Sequence, residues 1–172
     1  MAAYVALGLG VGAVAGVVWE AVVDLPTYTV NADGGAATSE RGLAAVIGGD
    51  AWFCLIGAVA GLLLGVLAWR RLRAIGWSVV LVGTLTAVAA ALVCWWVGTA
   101  LGPGDFNPRL AAAQAGAVVP VALELRAQAS FLVWPFLAVA PILLGSSLGR
   151  DDEELDQPSP PAVEPPTPAD AA

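Results

Sequence analysis

The sequence predicts an all-α membrane protein: a four-helix transmembrane bundle with a small extracytoplasmic strand-and-loop lid and a disordered C-terminal tail. Three observations carry that expectation. Hydrophobic residues make up 59% of the 172-residue chain and charged residues only 12%, outside the range of ordinary soluble domains. Four apolar stretches, residues 3–23, 51–69, 77–101 and 130–149, approach or exceed the ~20 residues a bilayer-crossing helix requires. The charge is also unevenly placed, because seven of the fourteen acids lie from Asp151 onward. The body is therefore neutral, with seven arginines against seven acids, and it carries no electrostatic footprint for nucleic acid.

The first stretch, MAAYVALGLGVGAV, lacks a basic n-region and its apolar run is long enough to span, so it reads as a membrane helix and not as a cleaved signal peptide. Between spans two and three, WRRLRAIGW holds Arg70, Arg71 and Arg73, the densest basic cluster in the chain. The positive-inside rule makes that loop cytoplasmic. Both termini are then expected inside and residues 24–50 and 102–129 outside, in agreement with Arg150 at the end of span four. Trp19, Trp52, Trp95, Trp96 and Trp134 fall near the predicted outer ends and Trp69 and Trp77 near the inner ones, as expected for indoles at headgroup level.

The outer segments carry local signals of their own. TYTV followed by NADGG reads as a strand entering a turn, and Asp50 is placed to cap the start of span two. Asn107 and Pro108 suit the cap and first position of a short helix, RLAAAQ, ended by Gly116. In VVPVALELRA the apolar residues Val119, Val121, Leu123 and Leu125 alternate, which predicts a strand to Arg126 with Pro120 marking it as an edge. Pairing of Tyr28–Val30 with Val119–Arg126 would make the lid. Residues 150–172 contain six of the twelve prolines and little apolar content, which predicts a disordered cytoplasmic tail. PSPP and PPTP in that tail match the bare PxxP pattern.

Span one places Gly8, Gly12 and Gly16 on one face, and span two places Gly57, Gly61 and Gly65 on another. Small residues are the favoured contact surface between helices in lipid. Their matched depths predict a tight antiparallel hairpin in which Gly16 faces Gly57, Gly12 faces Gly61 and Gly8 faces Gly65, with self-association or docking on another membrane protein as the alternative uses of the rows. Span three offers a third small face, Thr86, Ala90, Cys94, Gly98 and Gly102. In span four, Pro141 removes a helical hydrogen bond and should kink the helix, with Pro135 preceding it.

The first glycine row continues, in the same step of four, to Glu20 and Asp24, which predicts that Glu20 faces protein about one turn below the outer surface. Two readings of Glu20 stand open. It is an interfacial acid held by Arg41, Arg109, Arg126 or an indole N–H, or it is a protonatable site for ion or proton coupling.

Enzymatic chemistry is not expected. With no histidine or lysine, the usual general base and Schiff-base residues are missing and any metal site would rest on carboxylates. Every glycine-rich run lies within a span, so none forms a phosphate loop, and no serine or threonine has an evident base beside it. Cys54 and Cys94 sit inside apolar runs without ligand-like spacing. No catalytic, cofactor-binding or metal-ligating residue is assigned, and the partners expected are the lipid bilayer and a second membrane protein or another copy of the chain.

WEAVVDLP at the end of span one, GDAWFCLIGAVAGLLLG opening span two and LVWPFLAVAP in span four together resemble a family of small four-span membrane proteins of actinobacteria that is described only as a domain of unknown function. The resemblance covers about residues 4–149 and implies a bacterial plasma-membrane protein, without site residues to carry over. The functional expectation is a non-enzymatic accessory or scaffold subunit of a cell-envelope assembly. The alternatives are a small transporter or channel with Glu20 and Asp24 at its outer entrance, and an envelope-stress sensor signalling through the tail.

Overall fold

The structure is a computed structural model that describes residues 1–31, 36–37 and 40–155, with side chains at 1–31 and 47–148. Its elements are α1 (Ala2–Val22), β1 (Thr27–Val30), β2 (Ala36–Ala37), α2 (Glu40–Leu72), α3 (Ser78–Leu101), α4 (Phe106–Ala111), β3 (Val118–Pro120) and α5 (Val133–Leu155). Short 3₁₀ turns at Arg73–Ile75 and Gln128–Leu132 lead into α3 and α5. Four of the helices are long and apolar enough, by length and composition, to cross a membrane.

Local chemistry accounts for most boundaries. α1 stops at Val22, where Val23 turns extended ahead of Pro26. The α2–α3 connection reverses at Gly76, whose φ of +66° is disfavoured for residues bearing a Cβ. α3 ends against Gly102 and Pro103, since a residue before proline avoids the helical region. Two ends differ from the sequence expectation. α2 begins at Glu40, well before the apolar run at 51, because Glu40, Arg41, Leu43, Ala44 and Ala45 are all good helix formers. α5 continues to Leu155 through the acidic run that was expected to open the tail; residues 156–172 lie outside the described residues.

The lid is a three-stranded antiparallel sheet in the order β2-β1-β3. β1 pairs with β3 in the register Thr27 to Pro120, Tyr28 to Val119 and Thr29 to Val118, and Pro120 sits on the edge strand. The expected strand through Arg126 is shorter, because the ladder with β1 ends at Pro120. Beyond it, Val121 N–H still donates to Pro26 O, and Leu123 stays buried against the bundle. The short helix starts at Phe106, with Asp105 and not Asn107 flanking it, and ends at Ala111; Gly116, at φ +88°, serves the turn into β3.

The expected glycine hairpin is not what forms. The most extensive packing is α1 on α3 and α2 on α5. A Cβ at Gly8 would strike Thr86, one at Gly12 the backbone of Ala90, and one at Gly16 would lie 2.6 Å from Cys94 O. On the other helix, a Cβ at Gly57 would strike the Trp134 indole, one at Gly61 the carbonyl of Trp134, and one at Gly65 Ala138 and Pro141. Residue numbers rise together in both series, so each tight pair is parallel and its members are alternate, not consecutive, spans. Gly16 does not meet Gly57, nor Gly12 Gly61, nor Gly8 Gly65.

The two pairs close on each other through a core of Leu64, Ala87, Ala91, Ala138 and Ile142, with Gly83 of α3 admitting the Ile142 side chain. α1 and α2 are joined near both ends by side-chain hydrogen bonds. Tyr4 Oη donates to Leu64 O at 3.0 Å and Trp19 Nε1 to Gly49 O at 2.9 Å.

Replacing Gly12 or Gly61 by leucine is expected to lower the unfolding free energy in detergent by about 1–3 kcal/mol each, the usual cost of overpacking. Gly10→Leu should leave it within about 0.5 kcal/mol, since nothing lies within 4 Å of a Cβ there. In the Gly12→Leu/Gly61→Leu double mutant the two losses should add to within about 0.5 kcal/mol. A larger coupling in that cycle would bring back the hairpin.

Candidate functional site at the lid end of the bundle

The candidate residues Glu20 and Asp24 sit where α1 runs out beneath the lid. The buried residues of α1 are Tyr4, Gly8, Gly12, Ala15, Gly16 and Trp19. Glu20 is half-buried and Asp24 exposed. A four-residue step overshoots a full turn by about 40°, so a row that starts at Gly8 has rotated off the contact face by Glu20. Trp19 falls back onto the face and takes the place that the sequence reading gave to Glu20.

None of the expected partners that the structure describes holds Glu20. Arg109 is occupied in the lid, its Nε donating to Gly104 O at 3.0 Å and to Asp105 O at 3.3 Å, and its Nη2 to Pro120 O at 2.8 Å. Arg126 has an exposed side chain, the Trp19 N–H is taken by Gly49 O, and the Arg41 side chain lies outside the described residues. Among the described residues neither Glu20 nor Asp24 has a hydrogen-bond or ion-pair partner.

What the fold brings together instead is a set of aromatic rings. Trp19 and Phe53 meet edge-on with centroids 5.2 Å apart, Phe53 lies 5.4 Å from Phe131 and 5.9 Å from Trp134, and Phe131 lies 6.2 Å from Trp95. Such offset and tilted geometries are the favourable ones for aromatic pairs. Trp19 and Trp134 are both 0% exposed, so these two indoles belong to the core and not to the headgroup belt. Each lies against a glycine: a Cβ at Gly98 would strike Trp19 and one at Gly57 Trp134, just as one at Gly145 would strike Trp69. Trp134 Nε1 is buried without a hydrogen-bond partner. A glycine on one span at the depth of a tryptophan on another is the sequence signal that could have found these contacts.

Asp50 also has a different role from the expected one. It lies inside α2, and its carboxylate accepts from Arg126 N–H at 3.1 Å and Ala127 N–H at 2.9 Å. These amides open the 3₁₀ turn that leads into α5, where N–H groups have no partner within their own helix. The acid caps the approach to the fourth span, not the start of the second. It thereby ties the segment leaving the lid to the aromatic cluster below.

Beside the lid is a polar cleft of about 340 Å³, with Trp95, Thr99, Asp105, Leu123 and Glu124 among its walls. Thr99 Oγ1 already donates to the carbonyls of Trp95 and Trp96. Among the described residues no group of three His, Cys, Asp or Glu side chains could hold a metal ion. Arg70, Arg71 and Arg73 lie at the opposite end of the bundle and are exposed.

In comparisons with protein-family models, curated proteins and solved structures, nothing matches the chain.

Asp50→Ala should release the two amides of Arg126 and Ala127. The expected outcome is faster hydrogen exchange at those residues and a stability loss of about 0.5–2 kcal/mol, the usual cost of losing a helix cap. Unchanged exchange there would remove Asp50 from this role.

Proposed function

We propose that the protein is a non-enzymatic integral membrane protein of the bacterial plasma membrane. It acts as an accessory or scaffold subunit of a cell-envelope assembly, with both termini in the cytoplasm and the lid outside. The observation that carries this reading is the interior of the bundle. Its centre is filled by apolar side chains and indoles, and the buried hydroxyls among the described residues are those of Thr86, Ser130 and Tyr4, the last bonded to Leu64 O. The Thr86 hydroxyl is spent on Val82 O at 2.7 Å. A polar path through one copy would need ionisable or hydroxyl groups facing a water-filled space, and Glu20 stands off the contact face. The orientation rests on Arg70, Arg71 and Arg73, and the resemblance to the actinobacterial four-span family supports the same membrane.

The test is the mass of the complex released from its native membrane in mild detergent, by native mass spectrometry. A heteromeric mass is expected. A closed homo-oligomer would favour the channel reading instead, in which case flux in liposomes should fall on Glu20→Gln.

A further inference from the structure

Between the two hydrogen bonds that join α1 to α2, the helices leave a groove. It has a volume of about 720 Å³ and is lined by residues 7–18 of α1 and 55–63 of α2, with no polar side chain among them. Ala15 and Ala60 form the floor, 7% and 6% exposed, and Val14, Val59 and Leu63 stand as walls more than half exposed. Gly10 opens it further, since nothing lies within 4 Å of its Cβ position.

The lining suits an alkyl chain, since it is apolar along its whole length. Residues 7–18 rise about 16 Å at 1.5 Å each and are centred on the span, so the half of the groove nearer Arg70, Leu7–Val11 with Val59–Leu63, lies in the leaflet on that side of a 30 Å hydrocarbon core.

Charge supplies the second half of the site. At about 100° per residue, Leu55, Val59, Leu63, Val66 and Arg70 share one face of α2. Val66 and Arg70 are exposed, and Arg70 lies two turns beyond the end of the groove with no carboxylate partner among the described residues. The glycine row that meets α5 is about half a turn away, so Arg70 is directed away from the face of α2 that packs on α5. An arginine fork matches phosphate oxygens, and its aliphatic stem can lie along Val66 while the guanidinium reaches headgroup level.

We propose that the α1–α2 groove binds an anionic phospholipid from the leaflet on the Arg70 side, one acyl chain lying between Leu7–Val11 and Val59–Leu63 and the phosphate engaged by Arg70. This goes beyond the scaffold reading and stands whether or not a protein partner is found.

The test uses the full chain in nanodiscs of phosphatidylcholine doped with phosphatidylglycerol, including a phosphatidylglycerol with a photoactivatable group in its acyl chain. Crosslinks mapped by mass spectrometry should concentrate on both groove walls, and native mass spectrometry should show retained phosphatidylglycerol in preference to phosphatidylcholine. Gly10→Phe fills the groove and should abolish the crosslinks. Arg70→Gln leaves the groove open and should lower the preference for the anionic lipid about fivefold, as for one basic side chain at a membrane surface. Crosslinks spread equally over Leu81, Leu85 and Leu92 of α3, or a preference unchanged in Arg70→Gln, would overturn the proposal. So would crosslinks between two copies that Gly10→Phe removes, because the groove would then be an interface.

Discussion

Two helix pairs meet at backbone contact, Gly12 on Ala90 in one and Gly61 on Trp134 and Ala138 in the other, and the rest of the molecule is arranged around those two approaches. In lipid there is no hydrophobic gain in bringing two apolar helices together. Association depends on van der Waals contact, which small residues maximise by letting the main chains touch. Because each pair is parallel, an intervening span must cross back between its members. α1 therefore cannot complete its contact until α3 is in place, nor α2 until α5 is. The chain interleaves two pairs, each of which supplies the connection the other needs, and the bundle closes through Leu64, Ala91 and Ile142 only when both exist.

The two ends of this arrangement are built differently. At the lid end, Phe53 sits among Trp19, Phe131 and Trp134, so α1, α2 and the start of α5 share one aromatic centre. Asp50 fastens the chain leaving the lid to the same level through two backbone amides, and Leu123 plugs against Gly102 at the end of α3. Tyr28 of the sheet rests on Phe106 at 5.3 Å, and Arg109 stitches α4 to β3. Toward the other end α1 and α2 touch through Tyr4 and Leu64 and otherwise part. One end is thus closed by packed rings and polar caps, while the other leaves an apolar cleft between α1 and α2 with Arg70 beyond it.

Much of the architecture was legible in the residues. Hydropathy marked four long helices because an apolar run of that length is a local property, visible without knowing what it packs on. Alternation at Val119, Leu123 and Leu125 marked an inward-facing side, and TYTV its strand partner. The six glycines were recognisable as contact surface, since a step of four residues keeps a common face over a few turns.

Which face meets which was not legible, and the reason is physical. A glycine row describes one helix only. Three rows of the same period, from Gly8, Gly57 and Thr86, can be matched in several ways, and agreement in depth between consecutive spans does not exclude a better fit between alternate ones. Trp134 in the slot over Gly57 and Ala90 against Gly12 decide the matter through shape, which exists only after the helices are brought together. The same holds for Glu20, displaced from the contact face by the small rotation that each four-residue step accumulates, and for Asp50, whose amide partners lie 76 and 77 residues away in the chain. The sequence alone determined how many helices there are and which residues are small enough for close contact; tertiary structure decided the pairing, because complementarity between two surfaces is a property of neither surface by itself.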